Sequence, residues 1–376
     1  MNKADIEAIK KYDFLKTQGM PLEEMSKHVV RKIGNSGGCK VNIILPTFKR
    51  DITLKPALES ALNQKTQIDY QIIVMDNAGI SDTETETEKL IRNYNDDRIV
   101  YYQQDEEYVL THKELNIHPF NSLYMVSDSE WVCMLHDDDV LAEDYLEKMC
   151  SAIEQKDDIE GLMCDLKEVR CGDEDDEPIM EFLRNKGNGN DNSGVEVKLN
   201  SEVFRITEKK HPKKYVHYIL GAFMKRTKVI ELGGYPCDNT IIGLDGMSDF
   251  VLAVKYAYYY RTYFLNDYLY GYRISPLSAS ANPNIWHDIF LCRSYFIKYL
   301  SNLYPSKEKE IIEACAEYET MDQVDGFNRN NGDYKINREG FFRDCGIYER
   351  RGIGIIEKIR KRTVRFLGNR IRQKYA

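Results

Sequence analysis

Three polar clusters each follow a short apolar run. Pro46-Thr47-Phe48-Lys49-Arg50 ends the run that starts at Val41, Asp76-Asn77 follows YQIIVM (70–75), and His136-Asp137-Asp138-Asp139 closes WVCMLH (131–136). The acidic triplet is the sharpest of the three. Neighbouring carboxylates repel, and holding them together costs free energy unless a cation lies between them. An apolar strand that delivers three Asp residues into a turn therefore reads as a site for a hard metal. Oxygen ligands select Mg²⁺ or Mn²⁺, ions that commonly carry a diphosphate. Neither GxxxxGK[ST] nor GxGxxG occurs, which disfavours a P-loop NTPase and a dinucleotide-binding dehydrogenase. A metal, rather than a backbone nest, would hold the phosphates.

The elements that must position these clusters follow from periodicity. VNIILP (41–46), YQIIVM (70–75), RIVYYQ (98–103) and WVCMLH (131–136) read as buried strands. Helical spacing or capping signals place helices at 53–63, 81–94, 115–127 and 141–155. Strands alternating with helices predict an α/β protein with a mostly parallel, Rossmann-like sheet covered on both faces. In such a sheet, ligands bind beyond the carboxyl ends of the strands, so the three clusters are expected on one rim. Further on, 170–200 reads as a surface excursion, 214–232 and 245–260 as helices, and 261–274 as a strand. Residues 256–273 hold eight Tyr and Phe264, read mainly as core and strand residues. The chain divides into a polar, helical N-terminal extension (1–39) ending in GNSGG, a central α/β domain (40–280) and a charged helical region (281–376).

Composition limits the alternatives. The 376 residues are 42% hydrophobic and 11% aromatic, which is globular and excludes a wholly disordered chain. No apolar stretch is long enough to span a bilayer, and the charged start does not read as a secretory signal. Nine cysteines without CxxC spacing argue for reduced thiols and a cytoplasmic location rather than a disulfide framework or zinc site. Net charge is −9, yet residues 350–376 carry ten Lys/Arg against Glu357 alone, leaving the rest near −18. An acidic body repels nucleic acid. The basic end, with Ile356, Ile359, Phe366, Leu367 and Ile371 at helical spacing, reads as an amphipathic helix suited to an anionic membrane surface. The competing reading is a helix packed on the acidic body.

The ordered set PTFKR, IIVMDNA and WVCMLHDDD, with Asn121 fifteen residues before His136, resembles the inverting family-2 glycosyltransferases of the GT-A fold, bacterial polysaccharide and glycolipid enzymes among them. GAFMKRTKVIELGGY (221–235), SDF (248–250) and YGYRISPLSAS (270–280) extend the resemblance to about 41–280. It implies a catalytic domain over 40–280, with a nucleotide-sugar half at about 40–140 and an acceptor half at about 141–280, and a nucleotide pocket lined by Pro46, Thr47, Arg50, Asp76, Asn77, Asn121, Asp137 and Arg273, with Asp76 on the base, usually uracil. It implies metal ligation by Asp138 and Asp139, with His136 as a further candidate ligand. Asp249 corresponds to the base that takes the acceptor proton, and Asp245, one helical turn earlier, is the competing base. The sequence departs from the family at His136, at Ser248 in place of Glu, and at Ser275 in place of His.

The chemistry agrees with the resemblance. Departure of a nucleoside diphosphate needs charge stabilisation, which Mn²⁺ or Mg²⁺ supplies. A sugar hydroxyl is a poor nucleophile and needs a carboxylate to remove its proton. The expected activity is inverting, metal-dependent transfer from a nucleotide sugar, most simply a UDP-sugar, to a glycan or lipid-linked acceptor for cell-surface polysaccharide at the inner face of the plasma membrane. Two rivals are a sugar nucleotidyltransferase, which lacks its GxGxR loop here, and a non-catalytic carbohydrate- or partner-binding protein on a transferase fold.

Overall fold

The computed structural model describes residues 3–16, 19–112, 115, 117–172, 176–186, 197–199, 219–238, 241, 244–275, 292, 295, 296, 299 and 302. In chain order these form α1 (Lys3–Lys11), α2 (Leu22–Ser26), β1 (Val29–Ile33), β2 (Val41–Thr47), α3 (Asp51–Leu62), β3 (Tyr70–Asp76), α4 (Glu86–Tyr94), β4 (Ile99–Gln104) and α5 (Glu106–Thr111). There follow α6 (Asn121–Val126), β5 (Trp131–Met134), β6 (Val140–Leu141), α7 (Tyr145–Glu154), β7 (Gly161–Arg170), α8 (Glu177–Lys186) and β8 (Val197–Leu199). The last are β9 (Phe223–Lys225), α9 (Arg226–Glu231), a 3₁₀ turn (Asp245–Met247), α10 (Ser248–Tyr259) and β10 (Thr262–Ile274).

Among the described residues the strands make one sheet, ordered β1-β4-β3-β2-β5-β9-β7-β10-β6, with β8 also on β10. The four strands expected from apolar runs are its parallel half: β2 pairs in parallel with both β3 and β5, and β3 with β4. β2 and β4 are buried along their whole length, as a central strand covered on both faces requires. Ile43, Ile44, Leu45, Ile72, Ile73 and Val74 are 0% exposed, each contributing about 1.5–3 kcal/mol of transfer free energy. The polar Asn42 within this core is satisfied: its Oδ1 accepts the N–H groups of Asp128 (3.0 Å) and Ser129 (3.1 Å), which fixes the turn into β5.

The structure differs from the sequence expectations in several places. Residues 1–39 are not only helical, because β1 closes one sheet edge antiparallel to β4. The expected helix 214–232 contains β9, an antiparallel strand between β5 and β7, and among its described residues only Arg226–Glu231 is α-helical. Sheet pairing overrides the helical spacing of this segment. The excursion 170–200 contains α8 and β8. Helix 115–127 shortens to α6, and the helix expected from 81 starts at Glu86, where the Thr85 hydroxyl accepts Glu88 N–H (3.1 Å). The expected strand 261–274 is β10, paired in parallel with β7 and antiparallel with β6 and β8. Of the aromatic-rich run, Tyr256 and Tyr270 are fully buried, whereas Tyr258, Tyr259 and Tyr268 are exposed. The basic segment 350–376, and the 276–280 part of YGYRISPLSAS, lie outside the described residues. Among the described residues no helix is long and apolar enough to cross a membrane.

The N-terminal segment docks on α10. Phe14 packs on Phe296 (centroids 4.8 Å apart), and the Tyr259 hydroxyl donates to Leu15 O (2.9 Å). Lys255 is 3% exposed and donates to Lys16 O (3.1 Å) and Leu232 O (2.9 Å). Burial, only partly offset by the charge of Asp13, lowers its pKa from 10.5 to about 8. The unfolded chain therefore keeps this proton to a higher pH than the folded chain. The group's contribution to stability is lowest below pH 8 and rises as pH climbs from about 8 toward 10.5. In urea unfolding, the native protein is expected to gain about 1–2 kcal/mol relative to Lys255→Met between pH 7.5 and 9.5. A difference that stays flat across that interval contradicts the assignment.

Candidate active site

The strand register puts the chemistry in one row. Thr47 at the end of β2 stands opposite Asp76 at the end of β3, and Asp76 opposite Gln103 of β4. Asn77 N–H donates to Thr47 O (2.9 Å), which ties the two strand ends. β5 joins the row where Leu135 N–H donates to Ile44 O (3.0 Å) and the Thr47 hydroxyl donates to Asp137 Oδ2 (2.9 Å). The three clusters read from the sequence thus meet on one rim. Pro46, inside β2, is buried and pairs in register with Met75.

Asp76 is fully buried. Its carboxylate accepts from Ala78 N–H (2.9 Å) and the Tyr101 hydroxyl (2.8 Å), and burial raises its pKa against these two donors. Gln103 donates to the Tyr101 oxygen (3.2 Å), and Gln104 donates to Asn77 Oδ1 and to Pro119 O (3.1 Å). Gln104 Oε1 is buried without a partner. The sequence reading missed Tyr101, Gln103 and Gln104. Their signal was present, since IVYYQQ ends an apolar run in two amides as the runs of β3 and β5 lead into acids.

Residues 136–139 form a turn between β5 and β6. Asp139 is fully buried, and both its oxygens are held by β10: the Tyr270 hydroxyl donates to Oδ2 (2.7 Å) and Arg273 N–H to Oδ1 (2.8 Å). The same Tyr270 oxygen accepts His136 N–H (3.2 Å). Arg273 is a buried residue whose Nε donates to Asp138 O (2.8 Å) and whose Nη2 pairs with Asp176, while Nη1 has no partner. Arg50, from the loop before α3, places Nη1 2.9 Å from Asp138 Oδ2 and 3.3 Å from Asp137 Oδ1. It is the counter-charge to the exposed side of the turn.

The charges in the turn act on one another. Burial, then the neighbouring charge of Asp138, pushes Asp137 up to about 6, against the pull of Arg50, the Thr47 hydroxyl and Phe48 N–H. The same two causes hold Asp139 well above the usual carboxylate range, opposed by Tyr270 and the Arg273 N–H. Burial lowers His136, against the charges of Asp138 and Asp249, and so favours the neutral imidazole. His136 Nε2 is buried with no hydrogen-bond partner, and a ring nitrogen of His136 and carboxylate oxygens of Asp138 and Asp139 lie within 4.8 Å of one another. One nitrogen and two carboxylates around an orphaned acceptor fit a divalent cation of the Mn²⁺ or Mg²⁺ type.

Asp249 sits in the first turn of α10, near enough for its charge to act on His136 and Tyr235, and its Oδ1 accepts Phe250 N–H (2.7 Å). Asp245 opens the 3₁₀ turn just before α10. Asn121 is fully buried at the start of α6. Its amide is engaged at both ends by Tyr235: Nδ2 donates to Tyr235 O (3.1 Å), and Oδ1 accepts Tyr235 N–H (2.7 Å). In this structure Asn121 holds the 233–235 turn. Gly234 there has φ +68°, and a Cβ would collide with Asn121 Oδ1 and Met20 Cε.

Residues 42–167 match the family model of glycosyl transferase family 2. This stretch contains the polar groups that end β2, β3, β4 and β5 and is similar to family-2 glycosyltransferase domains, whose GT-A arrangement of a mostly parallel sheet with flanking helices the chain shares. No curated protein sequence matches the chain. Among solved structures, S. aureus TarS 1–349 in complex with UDP-GlcNAc superposes with a TM-score of 0.51 at 15% identity, covering 81% of this chain and 79% of that one. The mannosyltransferase PcManGT from Pyrobaculum calidifontis, in complex with GDP-Man and Mn²⁺, is similar at a TM-score of 0.45 and 14% identity, covering 95% of this chain and 90% of that one. Asp249 and Arg273 lie beyond the matched segment.

Tyr270 has the double role that the sequence did not reveal, bridging His136 N–H and Asp139. Tyr270→Phe leaves Asp139 Oδ2 buried without a donor and removes the acceptor of His136 N–H, so the variant is expected to lose about 1–3 kcal/mol of stability. Denaturant unfolding checks this, and an unchanged midpoint contradicts it.

Proposed function

We propose that this glycosyltransferase moves a sugar from a nucleotide-sugar donor of the UDP class to a hydroxyl of a glycan or lipid-linked acceptor with inversion, in building cell-surface polysaccharide. The observation that carries the reading is the convergence of Thr47, Arg50, Asp76 and the 136–139 turn on one rim, with the Asp249 carboxylate nearby. Asp76 and the amides of Asn77 and Gln104 suit a base edge, because buried acceptors and donors discriminate hydrogen-bonding partners strongly. Arg50 and the free Nη1 of Arg273 suit the diphosphate. Asp138, Asp139 and His136 would hold the cation, which when bound supplies charge stabilisation to the leaving diphosphate.

The chemical step then follows from the chain's own groups. Asp249 takes the proton of the acceptor hydroxyl as that oxygen bonds to the anomeric carbon. The bond from that carbon to the phosphate oxygen breaks on the opposite face, and its electron pair leaves with the nucleoside diphosphate. One displacement inverts the anomeric centre.

The experiment is a two-arm test on the full chain. Calorimetric binding of UDP is expected to need Mn²⁺, to fail in EDTA and to weaken in Asp138→Ala. Asp249→Asn is expected to bind UDP normally and lose about 10²–10⁴ in transfer rate. Equal UDP affinity with and without metal contradicts the cation site. Selective loss in Asp245→Asn, with Asp249→Asn active, moves the base to Asp245.

We further propose a peripheral location on the inner face of the plasma membrane through residues 350–376, supported by their +9 charge and apolar spacing. The full chain is expected to sediment with anionic liposomes at low salt and to detach as salt rises. A chain ending near Gly346 should remain soluble, lose this binding and still act on a water-soluble acceptor. Full-length protein that ignores such liposomes, or a truncation that melts much earlier, contradicts the location.

A further inference from the structure

A group of side chains beside the rim has no part in the transfer as described. His118 lies three residues before α6, and its Nδ1 accepts Phe120 N–H (3.2 Å). The neutral ring therefore carries its proton on Nε2, which faces Ser248 Oγ at 3.4 Å as donor. The ring is stacked on Tyr235, with centroids 4.8 Å apart and planes 14° from parallel. Tyr235 is 1% exposed, and its backbone is clamped by Asn121. Phe120 stands edge-on to Tyr235 (5.5 Å, 84°) and 5.7 Å from the His136 ring. Ser248 is 3% exposed, so little water can take over its contact, and it directly precedes Asp249. One imidazole thus links the start of α10, the 233–235 turn and the segment leading into α6.

We propose that His118 is a positioning residue for sugar transfer: through Ser248 it sets where the first turn of α10, and with it Asp249, stands relative to the 136–139 turn. The inference rests on Asp249 as the proton acceptor. The residue type suits the task, because a neutral imidazole stacks flat, accepts on one edge and donates on the other. Neither a phenyl ring nor an aliphatic side chain does all three. Ser248 completes the contact with a hydroxyl short enough to remain buried.

The test compares His118→Ala, His118→Gln, Ser248→Ala, the double alanine variant and Asp249→Asn, measuring kcat, acceptor KM, UDP affinity and melting temperature. His118→Ala and Ser248→Ala are each expected to lower kcat by about 10–100-fold, the range that a displaced catalytic group produces. UDP affinity and melting temperature should stay near those of the native chain. The double variant should be no slower than the slower single one. His118→Gln, whose amide nitrogen can reach the place of Nε2, should recover most of the rate. Native kcat in His118→Ala, additive losses in the double variant, or a loss that follows melting temperature without recovery by Gln each overturn the proposal. Asp249→Asn separates the two readings. An active Asp249→Asn removes the base on which the inference rests, whereas an inactive Asp249→Asn beside a fully active His118→Ala removes the role of His118 alone.

Discussion

Asp139 has no contact with water, and the turn that carries it is fixed by how its carboxyl group is satisfied. Two donors meet it, the Tyr270 hydroxyl and the Arg273 N–H, and both come from β10. A buried carboxyl without partners is far costlier than its hydrogen bonds are favourable. This one requirement locks the end of β5 to the far half of the sheet. β6 follows at once and pairs with β10 at Tyr270 and Gly271, next to the residues that satisfy the acid. Gly271 allows that approach, since a Cβ there would meet Val140 and Phe182 at 2.8 Å.

The rest of the rim is arranged around the charge left over. Asp138 is the more open carboxyl of the three and carries the charge that raises both neighbours. Arg50 reaches it from the β2 end and Arg273 holds its backbone from β10, so the turn is braced from both halves of the sheet. His136 stays neutral beside the pair through burial. The arrangement is a low-dielectric cluster with one orphaned nitrogen and a surplus of acid, which is the environment that a cation stabilises most.

Much of this was readable in the chain because its cause is local. Four apolar runs gave β2, β3, β4 and β5, and the polar residues at their ends gave the rim. What was not readable has its cause elsewhere in the sequence. β1 exists through the open edge of β4, and β9 through the gap between β5 and β7. Neither has an alternation strong enough to announce itself. Tyr270 looks like any strand tyrosine until its hydroxyl is found between His136 and Asp139, more than 130 positions away in sequence. Asn121 drew notice through the resemblance, by its fifteen-residue interval to His136, and its bonds to Tyr235, 114 positions away, could not be read from the sequence.

Arg273 gives one guanidinium to two masters. Its Nε is committed to Asp138 O, and its Nη2 to Asp176, at the foot of α8 in the excursion that follows β7. That excursion also leans on the site side of the sheet, where Phe182 of α8 packs beside Gly271 and Val140. The segment is therefore not a neutral place for grafting or deletion. A peptide exchanged between Cys171 and Glu177 must return an acceptor to the position of Asp176, or a buried cation is left facing the backbone of the 136–139 turn with its second anchor gone.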